Sequence, residues 1–248
     1  MIADITRFEI RKLFSSPLAW IVLAVSQLIL AVFFYRLLAA YILQPAIYGD
    51  RGLTETIVAG FYQNSGVIFV LLVPFLSMRL ISGEIRQGTH RLLFSSPVSI
   101  KELILGKYLA LLLYLFALLL IVSLVPASLA VGTGLDYIHF AACLTGLVLL
   151  MAALTAIGLF VSTLFRYPVL AATVTFAVLV FLWTAHVAIN TDIGVANLLL
   201  NYLSMYPHFV SFTQGVFSTT DFFYFVIVSI TFVSLSIWRL DVIQNQHW

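Results

Sequence analysis

The sequence predicts an all-α integral membrane protein with six transmembrane helices. Of its 248 residues, 62% are hydrophobic and only 9% charged, whereas a soluble domain carries about 25% charged residues. Apolar runs of the length that crosses a bilayer recur along the whole chain. The twelve Lys and Arg residues fall mostly between those runs. No long polar stretch separates the runs, so one transmembrane domain is expected over residues 1–248. A net charge of +2 gives no footprint for nucleic acid, and none is expected as a partner.

Residues 1–17 open the chain as an interfacial elbow helix. Ile2, Ile5 and Leu13 fall on one side of it, Asp4, Arg7 and Arg11 on the other. Arg7, Arg11 and Lys12 are expected at the level of the lipid headgroups. The phrase RKLFSSPL at 11–18 ends the elbow, since Ser-Ser-Pro stops one helix and starts the next. Span one, Leu18–Leu43, is too long for the apolar core of a cleavable signal peptide. Span two, Phe61–Ile81, contains Pro74.

The loop at 82–99 is the richest stretch. Ile85, Thr89 and Leu92 follow an i, i+4, i+7 stripe, and Arg86 and His90 share another face. A short amphipathic helix along the membrane surface is expected. Gly83 and Gly88 weaken it in isolation, which favours a bent segment held by a partner. Pro97 ends the loop, and Ser99-x-x-Glu102 is a capping box for span three, Leu103–Val131. RLLFSSPV at 91–98 repeats the first elbow phrase. The similarity stops within a few residues, so it marks two elbows in one lipid environment and not a duplicated fold unit.

Spans four and five are Ile138–Phe165 and Val169–Ile189, and span six is Phe222–Leu240. Between the last two lies 191–221, apolar and aromatic with no Lys or Arg. A solvated loop would be polar, so a re-entrant or interfacial helical pair on the outer side is expected, the alternative being one amphipathic helix lying flat at the interface. Its first helix would cover Leu198–Met205, Pro207 would break it, and the second segment would reach Gly215.

Orientation follows from the basic residues. Arg7, Arg11, Lys12, Arg79, Arg86, Arg91, Lys101, Lys107, Arg166 and Arg239 fall on one side, Arg36 and Arg51 on the other. That asymmetry predicts cytosolic N- and C-termini. Single-cysteine labelling is expected to reach position 95 only from the cytosol and position 218 only from outside; the reverse pattern would overturn the topology.

Enzyme signatures are missing from the sequence. It contains no H-E-x-x-H and no G-x-S-x-G. His90, His139, His186, His208 and His247 are scattered, with no pair at metal-ligand spacing. Cys143 stands alone in an apolar run and is expected to pack as a small hydrophobe. Gly106-Lys107 is not a phosphate-binding loop, because Lys101 and Tyr108 stand where Gly and Ser or Thr are required. Catalytic, cofactor-binding and metal-ligating residues are therefore not expected in this chain. The uncharged spans also speak against ion-coupled transport, which holds its ion on buried ionisable groups.

Glu84, Arg86, Gly88-Thr89, Leu92-Leu93, Ser96-Pro97-Val98-Ser99 and Leu105-Gly106-Lys107 together resemble the loop between spans two and three of ABC type-2 exporter permeases. His208-Phe209, Phe212, Gly215-Val216 and Asp221 ahead of Tyr224-Phe225 are similar to the branch containing gliding-motility-associated permeases. Two departures stand out: Gly83-Glu84 where the family often has two acids, and Thr213-Gln214 where a basic residue often precedes Gly-Val. The resemblance implies a permease in the bacterial inner membrane, working as a pair with a second copy or a homologous permease. A cytosolic ABC ATPase dimer would dock beneath and bind the ATP and Mg. Glu84, Arg86, Gly88, Thr89, Arg91 and Leu92 would receive its motion. In that arrangement Glu84 pairs with a cation of the ATPase, Gly88-Thr89 permits close backbone approach, and Arg86 and Arg91 meet lipid headgroups or acidic ATPase residues. Pro207, His208, Phe212, Gly215 and Asp221 would shape the outer re-entrant segment. The gliding branch adds a large periplasmic-domain subunit as an expected partner. It also supplies an alternative function, an ATPase-driven scaffold that transmits force and carries no solute.

Overall fold

The computed structural model describes residues 1–44, 52, 54–87, 99–131, 136–188, 200 and 202–245, and every regular element among them is helical. Six helices are long and apolar enough to cross a membrane: Pro17–Leu43, Glu55–Arg86, Ile100–Ala127, Tyr137–Leu164, Pro168–Val187 and Thr219–Gln244. All six predicted spans are present. Each begins earlier than its apolar run, and at most of them a proline or a side-chain cap sets the start where hydropathy cannot. Pro17 and Pro168 occupy first-turn positions, where a missing N–H costs nothing. Ser99 and Glu102 form the expected reciprocal capping box. Asp136 Oδ1 accepts from the N–H groups of Ile138 and His139 at 3.0 and 3.2 Å.

In chain order, α1 is Ile2–Phe14 and α2, the first span, is Pro17–Leu43. A π-helical turn at Thr54–Val58 leads into α3, Ala59–Ser77. A short helix, α4, follows at Ser82–Gln87. Then come α5 at Ile100–Ala127, α6 at Tyr137–Leu164 and α7 at Pro168–Thr184. The chain closes with α8 at Met205–Thr213 and α9 at Thr219–Asn245. The first Ser-Ser-Pro phrase acts as expected: α1 stops at Phe14 and Pro17 opens α2. The second, at 91–98, lies outside the described residues.

Helix α6 is the centre of the bundle and touches α3, α5, α7, α8 and α9. The most apolar part of that span is 67% buried within the protein, against 17% for the first and sixth spans. Leu28, Val32 and Tyr35 on α2, with Ile227, Ile230 and Trp238 on α9, are exposed. Lipid tails are as apolar as leucine, so helix association in a bilayer depends on close packing and interhelical hydrogen bonds. The Tyr114 hydroxyl donates to Ala19 O at 2.7 Å, tying α5 to α2. The Tyr108 hydroxyl donates to Ala152 O at 3.2 Å, tying α5 to α6.

Candidate functional site

At the end of the bundle that carries the N-terminus, three elements converge on one buried ammonium. Lys107, in the second turn of α5, is fully buried. Its Nζ lies 2.7 Å from Glu9 Oε1 on α1 and 2.5 Å from Glu84 Oε1 on α4. Lys12, about half exposed, approaches the same carboxylates at 3.6 Å from Glu9 and 4.0 Å from Glu84. A charge leaves water only when partners replace its hydration. Two carboxylates around one ammonium, with a second cation at the rim, meet that requirement.

Backbone contact places α1 there. A Cβ on Gly106 would stand 2.7 Å from Ile5 Cγ2, so only glycine lets α1 lie this close to α5. Thr6 Oγ1 donates to Ile2 O at 2.9 Å and to Gly106 O at 3.2 Å. Leu105-Gly106-Lys107 thus does two jobs in adjacent residues: glycine admits the helix and lysine pairs with its acid. On the other side, Ser162 of α6 braces the bend between α3 and α4. Its Oγ accepts from Ile81 N and Ser82 N, both at 3.1 Å, and donates to Met78 O at 3.4 Å. Displacing α4 therefore loads α5 through an ion pair and α6 through a hydroxyl.

Arg7 and Arg11 sit on the outward side of α1, whereas Lys12 lies at the edge of the face that carries Glu9 and turns toward the charge cluster. Glu84 has its cation within the chain, and Arg86 is exposed at the end of α4. Gly88, Thr89, Arg91 and Leu92 lie outside the described residues. Glu9 and Ser162 went unnoticed in the sequence. For Glu9 a signal existed: it continues the Ile2, Ile5, Leu13 face at i+4 from Ile5, and a lone acid on an apolar face requires a buried cation. Nothing in the sequence distinguishes Ser162 from other serines in membrane helices.

The outer segment closes the opposite end. Its helix α8 contains Pro207 instead of being broken by it, which corrects the expected boundary; the break falls at Ser204. Proline is tolerated there because first-turn N–H groups have no intrahelical acceptor. Gly215 follows α8 with φ +79°, and Val216 N bonds back to Ser211 O at 3.1 Å, a left-handed helix stop. Phe212 presses onto Gly146 of α6, where an added Cβ would overlap Phe212 Cβ. His208 Nδ1 lies 2.6 Å from Asp221 Oδ1 at the start of α9, and its ring stacks on Tyr224 at 4.1 Å. His208 Nε2 faces Tyr202 O at 3.1 Å. His139 Nε2 meets Thr213 O at 2.7 Å, and His186 Nδ1 meets Ser204 Oγ at 3.2 Å. The three described histidines all fasten this segment. Cys143 is buried and free, with Sγ 3.7 Å from Thr213 O.

Among the described residues no group of three His, Cys, Asp or Glu side chains could hold a metal ion. The short helix α4 is tied by charge to α5 and α1 and by a hydroxyl to α6. Residues 5–241 match the family model described as ABC-2 family transporter protein. No curated protein matches the chain.

Proposed function

The chain belongs to the ABC-2 family of transporter proteins and is a membrane permease component; from that premise we propose that it couples ATP hydrolysis on a separate cytosolic ABC ATPase to export. The Glu9–Lys107–Glu84 cluster carries the proposal. It converts α4 from a loop feature into a lever fixed to α5, α6 and α1, so a push on the 82–99 loop reaches the spans. Within this scheme Glu84 is an internal tie and not an outward contact. The outward surface is then left to Arg86, Arg91 and the Gly88-Thr89 backbone. ATP and Mg sit on the ATPase dimer. Two permeases, a second copy or a homologue, frame the pathway, and both termini face the cytosol of a bacterial inner membrane.

Glu84→Ala and Gly88→Trp are expected to lower ATP hydrolysis in the reconstituted complex severalfold while leaving membrane insertion intact. Glu84→Ala leaves Lys107 neutralised by Glu9, so folding should survive and only the tie is lost. Unchanged stimulation of the ATPase by both variants would overturn the proposal.

The force-transmitting scaffold is the second reading, and His208, Phe212, Gly215 and Asp221 of the gliding-type pattern support it. These residues build an outer platform locked to the bundle by the His208–Asp221 pair. A neighbouring gene for a large periplasmic-domain subunit, together with ATPase activity that no candidate solute stimulates, would favour it.

A further inference from the structure

Two cavities beside the charge cluster adjoin at Lys12 and Arg79, which line both. The inner one, about 140 Å³, is walled by Leu13, Leu18, Phe75, Leu76 and Leu80, where α2 begins and α3 ends. The outer one, about 560 Å³, extends past Arg79 to Arg86, with Met78 and Pro168 on its walls. Arg79 and Arg86 are exposed, and neither forms an ion pair among the described residues. Glu84 also lines the groove, but its charge is met by Lys107 at 2.5 Å and Lys12 at 4.0 Å.

We infer that this apolar notch and basic groove together bind an anionic phospholipid from the leaflet on the basic side of the membrane. The acyl chain lies against Leu18, Phe75 and Leu76, and the phosphate sits between the Arg79 and Arg86 guanidinium groups, with Lys12 at the seam. The order of the two chemistries selects this ligand. Leu18, Phe75 and Leu76 belong to the first turn of α2 and the last turn of α3, while Arg79 follows two residues past Ser77 and Arg86 lies near the end of α4. A free phosphate has no use for the notch, and an acidic protein surface could not reach it. Planar guanidinium forks match phosphate oxygens in pairs.

The site depends only on the membrane-spanning fold, so it can be tested on the purified full chain without any ATPase. Phosphatidylglycerol, phosphatidylcholine and glycerol phosphate are titrated in detergent, with binding read by native mass spectrometry and apparent Tm. Phosphatidylglycerol is expected to bind at least about tenfold more tightly than phosphatidylcholine and to raise Tm. Arg79→Gln with Arg86→Gln should weaken it roughly tenfold and leave phosphatidylcholine binding unchanged. Leu18→Trp, which fills the notch and removes no charge, should weaken phosphatidylglycerol and leave glycerol phosphate unaffected. Equal affinity for the two lipids, or for glycerol phosphate and phosphatidylglycerol, overturns the inference. So does an arginine double variant that binds phosphatidylglycerol normally; if that variant also loses ATPase binding, the groove belongs to an acidic protein surface. Unchanged ATPase coupling in Glu84→Ala and Gly88→Trp, with phosphatidylglycerol binding as expected, would instead count against the proposed function alone.

Discussion

Lys107→Met is expected to be among the most damaging single substitutions in this chain. It leaves the carboxylates of Glu9 and Glu84 close together without the buried ammonium between them, and the half-exposed Lys12 is the cation that remains beside both among the described residues. Removing one partner of a buried ionic group costs about 3–5 kcal/mol; Lys12 puts the expected loss near the lower end, roughly 3 kcal/mol. Equilibrium unfolding in mixed micelles measures it. The informative companion is the triple variant Lys107→Met, Glu9→Gln, Glu84→Gln, which removes all three charges. Replacing a whole buried ionic group by neutral side chains is often close to neutral for stability, so at least half of the lost stability should return. ATPase coupling should not return, because the amides cannot rebuild the tie between α4 and α5. A Lys107→Met protein as stable as the parent would show that the cluster does not hold these helices together. A fully coupled triple variant would show that it does not transmit.

The second large effect is expected at Gly146. An alanine there would drive its methyl into Phe212 Cβ and bring it to 2.9 Å from Phe212 Cγ. The Cβ of Phe212 is fixed to the α8 backbone, so relief requires moving the outer helix. A cost at the upper end of the 1–3 kcal/mol seen for overpacking is expected. Phe212→Leu should not rescue it, since leucine keeps the offending Cβ. Gly66 of α3 gives the contrast. Alanine there meets Phe209 Cε1 at 2.6 Å, a ring edge that can be removed. Gly66→Ala should therefore cost less, and Phe209→Leu should relieve it, with a coupling energy of about 1 kcal/mol in a double-mutant cycle. Equal rescue at both glycines would mean that α8 is not seated on α6 through its backbone.

Much of this protein was legible along the chain because the features concerned are local. A run such as Leu18–Leu43 declares a span by length and composition. Ser99 and Glu102 announce their capping box across three residues, and Ser-Ser-Pro at 15–17 marks a helix break whatever surrounds it. The outer helix was half legible. Its apolar composition and Gly215 were visible, but proline was misplaced because the same residue either opens or breaks a helix according to where the first turn falls.

By itself, then, the sequence determined six membrane spans, the Ser99–Glu102 capping box, the helix break at Ser15–Pro17 and the order of the basic residues along the chain. Only the tertiary structure decided which charges neutralise one another and which spans the 82–87 helix is wired to. Glu9 and Lys107 lie 98 residues apart, and Glu84 and Lys107 lie 23 apart. Ser162 meets Ser82 across 80 residues. Hydropathy and capping are summed over neighbours in the chain, whereas burying an ammonium depends on helix rotation and on a close approach that Gly106 alone permits.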